Sequence, residues 1–213
     1  MITIIPLTFN PFQENMYILH DETNEAIVID PGCYEPHEKK SLLQLIESEQ
    51  LHPKRLLNTH CHIDHVFGNK LVAETYNLGL EIHENDLSVL SSVSQVAHLY
   101  GIPNVEESPQ PSSFLKEGDK INFGNSELDV LFVPGHAPGH IAFVSHAQKF
   151  IIGGDVLFYN SIGRTDLPGG DHATLIESIK TKFFPLGDDY EVYAGHGQKT
   201  TIGFEKLNNP FLQ

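Results

Sequence analysis

The segment Thr59-His60-Cys61-His62-Ile63-Asp64-His65 places three imidazoles and a carboxylate within six positions. Packing gives no reason to gather four such groups directly after Arg55-Leu56-Leu57-Asn58. Metal ligation does. In an extended segment side chains alternate, so His60 and His62 point the same way and can reach one ion. Asp64 and His65 fall at the turn into the next helix and can face a second. Neutral imidazole and carboxylate suit zinc, and also iron and manganese.

Three further residues extend the set. His136 in Gly135-His136, Asp155 in Gly153-Gly154-Asp155, and His196 in Gly195-His196-Gly197 each stand among glycines beside a strand-like run. The glycines are expected to let the backbone approach the ions. Asp155 is the candidate bridging carboxylate. Five His and two Asp suffice for two divalent ions with coordination positions left open, which is the donor set of a metal-dependent hydrolase. A structural zinc site is normally closed by four protein ligands, so an open site argues against a non-enzymatic metal-binding protein. Asp30, at a strand end, is expected to orient a ligand ring, and His140 to support the site from behind. Cys61 reads as a buried bystander and Asp171 as a helix N-cap.

The elements that must position these groups follow from periodicity and turn signals. Strands are expected at 2–9, 15–20, 26–30, 55–58, 80–83, 120–123, 127–133, 141–145, 150–153 and 191–194. Helices are expected from Pro36 to about Gln50, over 67–77 and 84–100, from Asp171-His172 to about Phe184, and over 202–207. The Pro- and Ser-rich stretch 103–113 reads as a loop. Strands and helices in this order suggest sheets inside and helices outside.

Composition narrows the partners. Asp and Glu total 28 against 13 Lys and Arg, a formal charge of −15. Such a surface repels a phosphate backbone over most of its extent, so no nucleic-acid partner is expected. No apolar run reaches the roughly 18–20 residues of a membrane span, and no membrane partner is expected. Met1 to Pro6 lacks a signal-peptide pattern, and two cysteines make no disulfide framework. A cytoplasmic location is the simplest reading. An anionic substrate would need local cations, for which Arg164 and, less strongly, Lys199 are candidates. Composition says nothing of the oligomeric state.

Assembled, these residues resemble the metallo-β-lactamase superfamily. More narrowly, the chain is similar to the glyoxalase II (hydroxyacylglutathione hydrolase) group and its short bacterial members. The resemblance rests on the 59–65 motif, on Pro134-Gly135-His136-Ala137-Pro138-Gly139-His140, on Gly153-Gly154-Asp155 and on Gly195-His196-Gly197. It implies an α/β fold, an αββα sandwich with the metals at one edge of the sheets. It also implies a first ion on His60, His62 and His136, and a second on Asp64, His65 and His196, with Asp155 between them. Residues 1–213 would form one domain, without the C-terminal helical domain of long glyoxalase II enzymes. The implied activity is hydrolysis of a small anionic thioester such as S-lactoylglutathione, with Asp64 holding the attacking hydroxide in line. Ile162-Gly163-Arg164-Thr165-Asp166 resembles a segment of the persulfide dioxygenases, which hold one iron and supply the alternative reading.

Overall fold

The computed structural model describes residues 1–213, which fall into two compact units. The first comprises residues 1–114 and 122–126; the second comprises 115–121 and 127–213.

The first unit carries a six-stranded sheet in simple sequential order. Strands β1 (Thr3–Phe9), β2 (Glu14–His20) and β3 (Glu25–Ile29) form an antiparallel meander. The tight connections between them leave no other pairing. From β3 onward the chain returns through helices, so β4 (His52–Leu57), β5 (Leu80–Ile82) and β6 (Pro111–Phe114) run parallel. The crossovers contain α1 (Pro36–Ser48), α2 (Ile63–Val66), α3 (Asn69–Tyr76) and α4 (Leu87–Tyr100). Pro36 starts α1, where a missing N–H costs nothing. Leu42 and Ile46 of α1, Val72 of α3, and Leu90, Val93 and Ala97 of α4 pack on Ile18, Val28 and Leu56. Asp21 ties the 122–126 turn to this unit. It accepts hydrogen bonds from Asn125 N (2.6 Å), Ser126 Oγ (2.9 Å) and Thr23.

The second sheet, most of whose residues belong to the second unit, has the order β14-β13-β10-β9-β8-β7. Here β7 is Lys120–Phe123, β8 Ser126–Phe132, β9 Ile141–Ser145, β10 Phe150–Gly154, β13 Glu191–Ala194 and β14 Thr200–Thr201. Strands β8, β9 and β10 pair antiparallel, whereas β13 lies parallel to β10 after a helical crossover. That crossover holds α5 (His172–Ser178), which continues into a wider turn over Ile179–Phe183. Asp171 caps α5 by accepting Thr174 N at 2.7 Å. A small hairpin, β11 (Leu157–Phe158) and β12 (Ser161–Ile162), follows β10. The last helix, α6 (Ile202–Asn208), grips that hairpin. Buried Glu205 accepts Asn160 N (3.0 Å) and Asn209 Nδ2 (2.8 Å), and also takes the Thr200 hydroxyl. Asn209 Nδ2 in turn donates to Ser161 O (2.9 Å).

The strands and helices expected from the sequence are present, with ends shifted by a few residues. The exception is the 103–113 loop, whose final residues enter β6. Its composition is that of a loop because it is a sheet edge, where Pro111 and two exposed serines are tolerated. No helix is long and apolar enough to cross a membrane.

Candidate metal centre

In the first unit the motif begins where β4 stops. Asn58 is buried and ties the two ends of the segment together: its Nδ2 donates to His65 O (2.9 Å) and to Asp30 Oδ1 (3.2 Å). The chain then passes through His60 to α2, whose four residues carry Asp64 and His65. The rings of His60 and His62 stand 4.8 Å apart edge to face, and those of His60 and His65 4.1 Å apart. His60 and His65 are buried, whereas His62 is half-buried.

Asp30 lies behind this group. It adopts φ +51, a conformation Asp tolerates better than most residues. Its carboxylate accepts Thr59 N (2.7 Å), the Thr59 hydroxyl (2.5 Å) and His65 Nδ1 (3.2 Å). Because the Thr59 hydroxyl donates to Asp30, its oxygen is the acceptor for Nδ1 of His60 at 3.1 Å. Both rings therefore carry their proton on Nδ1 and present the Nε2 lone pair that a metal requires. Asp30, His60 and His65 each offer a ligand atom within 4.8 Å of the others. Cys61, between two of these histidines, is buried. Burial, then Asp86 and Asp30, push its thiol well above the ordinary range, and it stays protonated.

In the second unit His136, His140, Asp155 and His196 come together. His136 donates Nδ1–H to Arg164 O (2.7 Å), so Nε2 again carries the lone pair. Asp155 Oδ2 lies 3.5 Å from His136 Nε2 and 3.5 Å from His196 Nε2. In the first unit Asp64 Oδ2 lies 3.6 Å from His65 Nε2. These separations exceed a good hydrogen bond. They match two donors on one ion, since atoms about 2.0–2.1 Å from zinc at the tetrahedral angle stand about 3.4 Å apart. The donor chemistry and spacing thus fit a divalent metal. His140 faces elsewhere: its Nε2 accepts the backbone N–H of Asp155 at 3.0 Å and fixes the end of β10.

Two glycines depart from the sequence reading. Gly135, expected to make room for an ion, makes room for a helix: at φ +129, a Cβ there would stand 2.3 Å from Leu175 N in α5. Gly163 carries the close approach instead. Its Cβ would stand 1.9 Å from Asp155 O and 3.1 Å from His136 Nδ1. The Gly163-Arg164 backbone is therefore a strap across both residues, and sequence reasoning missed it.

The two candidate cations already have carboxylate partners. Arg164 makes a two-pronged pair with Asp166, Nε to Oδ1 and Nη2 to Oδ2, both 2.7 Å. Lys199 Nζ lies 2.6 Å from Glu191 Oε1 and 5.4 Å above the Tyr193 ring. The sequence also gave no sign of Glu14, a fully buried carboxylate 3.7 Å from His65 Nδ1.

Comparison with known proteins agrees with this geometry. The family model of the Metallo-beta-lactamase superfamily matches residues 9–196. The chain is 42% identical to hydroxyacylglutathione hydrolase GloC of Haemophilus influenzae, over 99% of this chain and 97% of that one. Among solved structures, TTHA1623 in a di-iron-bound form aligns with a TM-score of 0.88 at 37% identity, over 98% of this chain and all of that one. BLEG-1 B3 metallo-beta-lactamase also aligns at 0.88, with 35% identity over 100% of this chain and 99% of its own. The α/β class read from the sequence is that of these structures, and the superfamily binds divalent metals. The chain belongs to the metallo-β-lactamase superfamily and is an enzyme of its metallo-hydrolase type.

Proposed function

We propose that the chain acts as one catalytic domain that holds two divalent ions and hydrolyses a small anionic thioester, of which S-lactoylglutathione is the model. In this reading His60, His62 and His136 would hold the first ion, and Asp64, His65 and His196 the second. The observation that carries this reading is the position of Asp155. One of its oxygens is 3.5 Å from His136 of the first set and 3.5 Å from His196 of the second, as a shared carboxylate requires. Zinc is the leading candidate, with iron next because TTHA1623 is known in a di-iron form, and manganese after it. The name of the Haemophilus relative supports the glutathione thioester. Nucleic acid has no place in this reading, given the acidic surface.

Bound ions would lower the pKa of a water and polarise the acyl carbonyl. The protein does the rest. Asp64 orients the attacking water toward the carbonyl. Asp30, Thr59 and the Arg164 carbonyl hold the imidazoles in one tautomer, so no ring must reorient during turnover. A thiolate leaves readily, so a strong general acid is not required. Arg164 is the residue for the substrate carboxylate; Lys199, already paired with Glu191, is the weaker candidate. Two buried free cysteines suit a reducing compartment, and the cytoplasm is the proposed location.

Metal analysis of protein purified without added metal, paired with a thioester assay, tests this. Two ions per chain and turnover of S-lactoylglutathione are expected. One iron per chain with oxygen consumption on glutathione persulfide would replace the reading with the dioxygenase.

A further inference from the structure

The anion contact proposed above already holds an anion. Arg164 and Asp166 form a fork-to-fork pair with both bonds at 2.7 Å, the arrangement a guanidinium adopts with a free carboxylate. The backbone beneath this pair is fixed. Arg164 O accepts His136 Nδ1 at 2.7 Å, Gly163 N donates to Val156 O at 3.2 Å, and Asp171 N donates to Gly135 O at 2.8 Å. Both ends of the segment are thus pinned next to His136. With its backbone held, Arg164 can change only what its guanidinium pairs with. Both side chains are more than half exposed, at 59% and 68%, so the pair is open to competition from solution. Arg164 further holds the Asp166 carboxyl down to about 2, so it stays ionised near neutral pH.

We propose that Asp166 is a specificity-determining residue: an internal carboxylate that occupies Arg164 and must be displaced by the carboxylate of the substrate. The inference rests on the thioester reading only for the identity of the substrate; the competition itself concerns any small carboxylate reaching Arg164. Exposed ion pairs are weak, so the competition is modest. It raises the KM for anionic substrates by about two- to fivefold and leaves a substrate without a carboxylate untouched. On a chain with so few cations, Asp166 therefore sets how strongly charge counts in substrate choice.

The test uses metal-loaded protein and four forms: wild type, Asp166→Asn, Arg164→Ala and the double variant. Glutathione binding is measured by calorimetry at low and high salt. The KM is measured for S-lactoylglutathione and for an uncharged thioester. Asp166→Asn is near-isosteric and exposed, and circular dichroism checks its fold. The expected result is two- to fivefold tighter glutathione binding in Asp166→Asn, a matching fall in KM for the charged thioester only, and no effect of Asp166→Asn in the Arg164→Ala background. An equal effect in that background overturns the proposal, as does weaker or absent glutathione binding in Asp166→Asn. If wild type hydrolyses neither thioester, the function proposed above falls, while the binding measurements still decide the competition between Asp166 and the ligand.

Discussion

The carboxylate of Asp30 accepts the Nδ1–H of His65 at 3.2 Å, and through the Thr59 hydroxyl it also governs Nδ1 of His60. In the dinuclear reading these rings serve different ions, so one buried carboxylate sets the donor orientation at both. Asp30→Ala should lower metal affinity or activity by about 10–100-fold. Competition against a chromogenic chelator reads this directly, and both ions should weaken. Loss of one ion alone, with the other held as in wild type, would confine Asp30 to His65.

Asp155 allows a sharper test of the bridge. If the proposed bridge holds, Asp155→Ala would leave two cations facing each other without a shared anion. Metal content should fall below two per chain, and thioester hydrolysis should drop by on the order of a hundredfold or more, beyond the 10–100-fold cost of losing a supporting group. Near-normal turnover with full metal content would show that Asp155 is not a ligand.

The strap yields a prediction about a residue with no side chain. In Gly163→Ala the new methyl group must stand 1.9 Å from Asp155 O unless the backbone moves. Overpacking of this kind costs about 1–3 kcal/mol. Urea unfolding of the metal-free protein should show that loss, and the loaded variant should retain its metals less well, because His136 and Asp155 shift together. Unchanged stability and unchanged metal retention would mean that the segment yields freely.

Acid sensitivity should concentrate partly at Asp21. Burial alone would raise its pKa, but hydrogen bonds from Thr23, Ser126 and Asn125 outweigh burial and hold it at about 2, against an ordinary 3.8. The folded-state value is depressed, so the stabilisation is present above the unfolded-state value. It is lost as pH falls from just under 4 toward about 2. Asp21→Asn should be less stable near neutral pH and should show a flatter decline of stability across that window. A decline parallel to wild type would remove Asp21 as a contributor.

Much of this was legible in the chain itself because the chemistry is local. His60, His62, Asp64 and His65 are four donors in six positions, and no packing pattern mimics them. His136, Asp155 and His196 were marked by strand ends and glycines. Asp30 was visible as a polar residue closing an apolar strand. What could not be read depends on pairing or on backbone atoms. The Arg164 carbonyl that holds His136 leaves no trace in residue type. The pairing of Lys199 with Glu191 appears only once β13 and β14 run antiparallel. Strands of two residues, such as β11, β12 and β14, are too short for a period-2 signal. Nothing in residue type marks Glu14, which is fully buried at the start of β2, after a loop whose Asn10 donates to Gly32 O and Asp64 O.

Glu205 ties the final helix to the turn of the β11–β12 hairpin, and that hairpin leads directly into the Gly163 strap. Local opening of the last turns of the chain should therefore not be silent at the centre. Amide hydrogens of 157–162 and of α6 should exchange with deuterium at a common rate, as one cooperatively opening unit. Glu205→Gln should speed both sets together while the amides of the first unit keep their protection. The C-terminal helix would then be a timing element for access to the site, and independent exchange of the two segments would show that Glu205 does not couple them.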